Sequence, residues 1–398
     1  MPADVARVLE KTLIGLADAP DGEAAAGLAG LGPGTCAEAL LRELASRASM
    51  FPEPAGKTPV RVCLCLGAER LVHTVTLGGG GAEVAAGDTG EARAELAQDL
   101  VELLRAVYGP PGRHDATLEL RVADPDRPVL DPADPDHAER AAAVTALHQL
   151  AGALSRPDRS LNELAVRFQS DKWGGHWYTP HYDRYFAPLR HRPVTLLEIG
   201  IGGYDAPDQG GASLRMWKHY FPRGTVHGLD VYEKHGIAEP RVVPLRGDQG
   251  DAAYLAGLAE DIGPFDIVID DGSHLNHHVL TSFRALFPHV RPGGLYVIED
   301  TQTAYWPGWG GNDTDLHDPG TSMGLVKTLL DGLNHQERGP GADAAGTPSY
   351  TERNVSGVHA HHNLTVIEKA VNAEQGAPSW VPRDIDPESW YTGMARGE

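Results

Sequence analysis

Five short apolar runs between Thr195 and Asp300 decide what this chain can become. They read VTLLEIGIGGYDAP, TVHGLDVY, VVPLRGDQGD, PFDIVIDDGSHLNHH and GGLYVIED, and each ends in an acid or a glycine. Helix-length segments separate most of them. Near-continuous runs of Val, Ile and Leu suit strands buried on both faces, as in a parallel sheet covered by helices. The fold class is therefore α/β, with a doubly wound, Rossmann-like sheet. Such sheets bind ligands at the carboxyl ends of their strands, near the switch point. The acids gather there: Glu198, Asp230, Asp248, Asp270, Asp271, Glu299 and Asp300.

The first strand runs into EIGIGG and then into a helix, ASLRMWKHYF. Gly200, Gly202 and Gly203 let the backbone approach a ligand closely. A dinucleotide fingerprint requires Gly at position 205, where this chain has Asp205, so a pyrophosphate is disfavoured. Glu198, just before the glycines, suits the cationic, amine-bearing end of S-adenosylmethionine. Asp230, at the end of the second strand, suits ribose hydroxyls. Asp248, after the third, suits an adenine amino group. Together these positions point to a nucleoside cofactor.

Strands four and five are neighbours in a 3-2-1-4-5 sheet, so Asp271, Glu299 and Asp300 converge. No Lys or Arg stands among them in sequence, and a divalent cation is expected to relieve their repulsion. All-oxygen ligation favours magnesium or calcium over zinc. Such an ion also lowers the pKa of a bound hydroxyl. His274, three residues past Asp271, is the candidate general base, because its ordinary pKa of about 6.5 lies near working pH. Asp270 either closes the cofactor pocket or orients a ligand. His277 and His278 read as structural. The tail, VSGVHAHH and LTVIEK, reads as an antiparallel hairpin added to the parallel sheet, the mark of a class I methyltransferase.

Upstream, residues 156–398 are expected to form the catalytic domain, and residues 1–155 an α+β auxiliary or oligomerisation domain. In the latter, VRVCLCLG and RLVHTVTLG read as a hairpin. EARAELAQDLVELLRAVYG carries Leu96, Leu100, Leu103 and Leu104 at helical spacing and is expected as one helix. Lys172 to Pro180 is expected as a mobile lid, with Tyr182, Tyr185 and Phe186 anchoring a helix on the sheet. Trp173, Trp177, Tyr178, Tyr305, Trp306 and Trp309 are candidates for substrate contact.

Fifty-five acidic against 34 basic residues give a formal net charge of −21, which excludes nucleic acid and anionic membrane as natural partners. Cys36, Cys63 and Cys65 make neither a zinc site nor a disulfide framework. No run approaches membrane-spanning length, and the expected location is the cytoplasm.

SDKWGGHWYTPHY, LEIGIGGYDAPDQGGASLRMWKHYFPRG, GLDVYEK, GDQGD, IDDGSH and VIEDTQTAYW resemble the magnesium-dependent macrolide-sugar O-methyltransferases, the mycinamicin VI and demethylmacrocin type. The resemblance is dense over about residues 160–370. It implies methyl transfer from S-adenosylmethionine to a deoxysugar hydroxyl of a macrolide antibiotic, of the 2''-hydroxyl type. It implies Mg2+ on Asp271, Glu299 and Asp300, His274 as base, and a homotetramer. By the same resemblance Tyr204, Ser213 and Gln249 join Glu198, Asp230 and Asp248 at the cofactor. IDDGSH is also similar to a cephalosporin-hydroxylase-like branch of this fold. A catechol or other vicinal-diol acceptor, or a non-catalytic scaffold that binds the cofactor, are the alternatives.

Overall fold

The structure of the chain, a computed structural model, describes residues 3–373 apart from 91, 124–132, 134 and 339–346, together with 376–378, 380, 386, 388 and 391. The described residues form two sheets. The first contains β1 (Thr58–Leu66), β2 (Glu69–Leu77), β3 (Ala82–Ala86), β4 (Ala94–Asp99) and β5 (Glu119–Val122), in the order β3-β2-β1-β4-β5. β1 and β2 form the expected hairpin, from Thr58 opposite Leu77 to Leu66 opposite Glu69. Val60, Val62 and Leu64 alternate inward along β1 and pack with Leu40, Leu41 and Leu44 of helix Pro33–Ala48.

The single helix expected around Leu96 is in fact a strand followed by a helix. β4 pairs parallel with β1, Val60 opposite Ala94, and antiparallel with β5. Ala94, Leu96 and Gln98 are its buried positions. A run such as AELAQD favours helix in isolation, but pairing on both edges overrides that weak preference. The Asp99 side chain then accepts from the backbone N–H groups of Val101 and Glu102 and starts helix Leu100–Tyr108. A cap of this kind contributes about 1 kcal/mol. A further helix, Asp21–Leu31, lies in an Ala/Gly-rich stretch without clear periodicity.

The second sheet contains β6 (Thr195–Ile199), β7 (Thr225–Asp230), β8 (Val242–Arg246), β9 (Phe265–Asp270), β10 (Val290–Glu299), β11 (Val355–His361) and β12 (Leu364–Lys369). Its order is β11-β12-β10-β9-β6-β7-β8. β6 to β10 run parallel, and β12 is antiparallel to both β10 and β11. The 3-2-1-4-5 order and the added tail hairpin are thus as expected. Leu196, Ile267, Ile269 and Val297 face one apolar core, whereas Leu197, Val268 and Ile298 face the other. Each such buried aliphatic side chain is worth about 2 kcal/mol. Both faces being covered is what made the runs continuous. Among the described residues no helix is long and apolar enough to cross a membrane.

Buried charge joins the two halves. Glu43, on helix Pro33–Ala48, accepts from Arg241 Nη2 at 2.7 Å and Arg47 Nε at 2.6 Å, with Lys218 Nζ 3.8 Å away. Burial alone would raise the Glu43 carboxyl. Arg241, Arg47 and Lys218 outweigh it and hold the group well below the ordinary carboxylate range.

Candidate functional site

The site lies at the carboxyl ends of β6, β9 and β10. Gly200, just beyond β6, has φ +97°, and a Cβ there would stand 2.1 Å from the Asp271 carbonyl oxygen. Only glycine lets the two strand ends lie so close. Their approach brings Glu198, Asp271 and Glu299 together, with carboxylate oxygens all within 4.8 Å of one another. Asp271, His274 and Asp300 form a second such group, more open to solvent. Asp271 belongs to both.

The buried group has a counter-ion that the sequence reading missed. Lys172, fully buried, lies 2.6 Å from Asp271 Oδ2, 2.7 Å from Glu299 Oε1 and 3.3 Å from Glu198 Oε1. No basic residue stands among these acids in sequence, yet the fold brings Lys172 between them. A sequence pattern cannot show a lysine arriving from a distant loop. Desolvation by itself would lower the Lys172 pKa. The three carboxylates outweigh it and hold the ammonium well above the ordinary lysine value. Burial pushes the Glu198 carboxyl up to about 7 against the pull of Lys172. Glu299 is also raised, by burial and by Asp271.

The aromatic stretch completes this shell. The Tyr182 hydroxyl donates to Glu299, and the Tyr178 hydroxyl donates to Asp300 Oδ1 at 2.7 Å. Tyr178, expected as a substrate contact, is buried, and its hydroxyl is engaged with Asp300. His176 stacks on it, ring centroids 4.6 Å apart, with Nε2 3.8 Å from Asp300 Oδ1. His274 Nε2 lies 3.6 Å from Asp300 Oδ2 on the opposite side. His274 and Asp300 both adopt left-handed backbone angles, φ 55° and 51°. Non-glycine residues hold that conformation where surrounding contacts fix it, often at functional sites. The segment from Lys172 to Pro180, expected as a mobile lid, is tied to the acids by Lys172 and Tyr178. Tyr182 and Phe186 are core residues, as expected.

The cofactor candidates lie at and just beyond the ends of β6, β7, β8 and β9. Ser213 donates to Glu198 Oε2 at 2.8 Å. Asp230 accepts from the backbone N–H of Ile201 and Tyr232, shaping the glycine loop. Above Gly202 the space is open. Asp248 accepts from Gly250 N, and Gln249 Oε1 accepts from Ser273 N. Asp270 is buried and takes donors from Gln249 at 2.6 Å, from Ser282 and from Tyr296, and burial pushes it up to about 6. Its partners are thus the Gln249 amide and the Ser282 and Tyr296 hydroxyls. Tyr204 projects outward, 86% exposed.

On the outer side Trp177, Trp306 and Trp309 are exposed, whereas Trp173 is partly buried against the core. Trp173 and Trp177 pack edge to face at 4.7 Å, and Trp306 and Trp309 meet at 5.3 Å, next to half-exposed Tyr305. Asn276, fully buried, ties that second loop in place through Thr303 O and Trp309 O, both 3.0 Å.

The donor chemistry fits the expected groups. Glu198, Asp271 and Glu299 share the ammonium of Lys172 and Asp300 groups with Asp271, so these four carboxylates and one ammonium carry three net negative charges when all are ionised. A divalent cation and a sulfonium cofactor would together cancel them. The carboxylates of Asp271, Glu299 and Asp300 form an all-oxygen, hard donor set.

Comparison with known proteins agrees with this geometry. Residues 10–119 match the family described as MycE methyltransferase N-terminal. The chain is 47% identical over 371 residues to demethylmacrocin O-methyltransferase of Streptomyces fradiae, covering 89% of each protein. It is 48% identical over 294 residues to 8-demethyl-8-(2-methoxy-alpha-L-rhamnosyl)-tetracenomycin-C 3'-O-methyltransferase of Streptomyces olivaceus, covering 73% of this chain and 75% of that one. The MycE methyltransferase of the mycinamycin pathway, solved in complex with Mg, SAH and mycinamycin VI, superposes with a TM-score of 0.83. It is 39% identical, and the match covers 97% of this chain and 99% of that one. Fold, site and kinship agree: this chain belongs to the family of the macrolide-sugar O-methyltransferases, the mycinamicin VI and demethylmacrocin type.

Proposed function

We propose that the protein transfers a methyl group from S-adenosylmethionine to a deoxysugar hydroxyl of a glycosylated macrolide, of the 2''-hydroxyl type, in a magnesium-dependent reaction of antibiotic biosynthesis. The carrying observation is the convergence of Asp271, Glu299, Asp300 and His274 at one strand edge, in a chain so similar to macrolide-sugar methyltransferases. Asp271, Glu299 and Asp300 are the magnesium ligands in this reading. Glu198, Asp230, Asp248 and Gln249 hold the cofactor, with Gly200 and Gly202 giving it room. Once bound, the metal polarises the acceptor hydroxyl and the cofactor supplies an electrophilic methyl group. His274 takes the hydroxyl proton on its Nε2 as the oxygen attacks. Tyr178 and Lys172 keep the carboxylates in place, which is the positioning that such a reaction chiefly needs. The exposed tryptophans cover the apolar aglycone.

Residues 1–155 serve in this reading as an auxiliary domain that builds a homotetramer, residues 156–398 as the catalytic domain, and the enzyme works in the cytoplasm. Light scattering that gave a monomer mass would reject the tetramer.

A second acceptor is favoured by the same tryptophan rings and by the relative that acts on a rhamnosyl tetracenomycin: a sugar carried on a planar aromatic polyketide. Mass spectrometry of the protein with S-adenosylmethionine, demethyl macrolides and rhamnosylated aromatic polyketides, with and without magnesium, separates the two. A metal-dependent gain of one methyl on a macrolide sugar supports the first reading. Gain only on the aromatic glycoside supports the second, and no transfer to either rejects both.

A further inference from the structure

At the amino-terminal edge of the second sheet, opposite the acidic site, lies a small cleft of about 50 Å³ between the two halves of the chain. Arg47, Arg156, Arg159, Arg190, Lys218 and Arg241 line it, with Asp158 the one acid on its wall. That concentration of positive charge occurs in a protein whose formal net charge is −21. Lys218 and Arg241 are matched by Glu239 and Glu43. Arg47 is also paired with Glu43, at 2.6 Å, and the remaining three are held mainly by backbone carbonyls. Arg156 donates to the carbonyls of Gly109 at 2.9 Å and Pro110 at 3.2 Å, and Arg159 donates to Met50 O at 3.3 Å. Arg190 donates to Arg159 O at 2.6 Å and lies over the Tyr220 ring at 4.5 Å, with Asp158 Oδ1 3.3 Å from its Nε.

Backbone carbonyls fix the direction of a guanidinium without cancelling its charge. Two further donors have no partner at all. Arg47 Nη1 and Arg241 Nε are buried and make no hydrogen bond, although both residues line the cleft. An unpartnered buried donor is costly unless a ligand meets it. Several guanidinium forks converging on one concave surface match the oxygens of a phosphate group.

We propose that this cleft binds a phosphate-class oxyanion, held by Arg47, Arg156, Arg159 and Arg190 at the junction of the two halves. Arg47 belongs to helix Pro33–Ala48, Arg156 and Arg159 to the segment that joins the halves, and Arg190 to the entry into β6. One anion therefore ties together elements from both halves. The site is distinct from the methyl-transfer site, whose acids repel such a ligand. Crowding of like charge supports the assignment: burial first, then Arg47 and Arg223, lower Arg156 to about 10.

The test is isothermal titration of the full chain with pyrophosphate in metal-free buffer, alongside a nucleoside diphosphate. Saturable binding of one pyrophosphate per chain is expected, weakened about tenfold or more in an Arg156→Gln, Arg159→Gln double variant, as loss of charge-assisted hydrogen bonds implies. Exposed Arg121→Gln, on β5, should bind as the wild type does. Tighter binding of the nucleoside diphosphate assigns the occupant to a phosphorylated metabolite, and equal binding to the free oxyanion. Should circular dichroism show the double variant unfolded, Arg159→Gln alone gives the reading. No saturable binding to the wild type, or an affinity unchanged in a folded variant, overturns the proposal.

Discussion

The Lys172 ammonium stands 2.7 Å from Glu299 Oε1, although the two residues are 127 positions apart in the chain. Through that contact the aromatic segment from Lys172 to Pro180 is fastened onto the acidic strand ends. Removing one partner of a buried ion pair costs about 3–5 kcal/mol, because the other charge stays buried. Lys172→Met is expected to lose stability of that order in urea denaturation without metal. Added magnesium should recover part of the loss, since a cation again faces the acids. A loss below about 1 kcal/mol would mean that Lys172 does not balance them.

Tyr178→Phe removes one hydrogen bond to Asp300 and little volume. Partners that orient metal ligands typically contribute about 10–100-fold to affinity or activity. Half-maximal turnover in this variant is expected to need at least about tenfold more magnesium, with the KM for S-adenosylmethionine little changed. An unchanged magnesium requirement would remove Tyr178 from this role.

Asp271 belongs to both acidic groups, so Asp271→Ala is expected to abolish metal-supported turnover while the cofactor still binds. Chelation of the wild type should stop turnover as well, and magnesium should restore it. Methyl transfer persisting in either case would reject the metal reading, and loss of cofactor binding in the variant would show a wider collapse of the site.

The Asp270 carboxyl, raised by burial to about 6, gives a pH prediction with a definite sign. In the folded state it binds a proton more readily than in the unfolded chain, where its pKa is about 3.9. Its contribution to stability is therefore full below about pH 4 and is lost as pH rises through about 6. Comparison of urea stability for wild type and Asp270→Asn across that window isolates the term, because other buried groups such as His227 titrate alike in both. The wild type should lose stability relative to the variant as pH rises. The opposite slope would contradict the burial argument.

His274→Ala is expected to lower kcat by about 10²–10⁴-fold, as removal of a general base does. Calorimetry should show cofactor affinity within a few-fold of the wild type. Retention of near-normal kcat would move the base elsewhere, with His176, on the other side of Asp300, the next candidate.

The sequence by itself determined the catalytic architecture. Continuous apolar runs ending in acids imply a doubly buried parallel sheet, and that sheet's order places Asp271 beside Glu299 and Asp300. The glycines of EIGIGG mark where backbone must pass close to backbone, as at Gly200 against Asp271. These features are local and periodic, so the linear pattern carries them. Only the tertiary structure decided the rest. Ala94–Asp99 became a strand because neighbours on both edges outweigh a weak helical preference. Asp270, one residue from Asp271, points into the opposite layer and serves Gln249. Tyr178 and Tyr182 find their carboxylates across more than a hundred residues of chain, Lys172 reaches Glu299 across 127, and Arg47 meets Arg156 only where the two halves dock. Long-range electrostatic partners are chosen by packing, which no spacing in the sequence records.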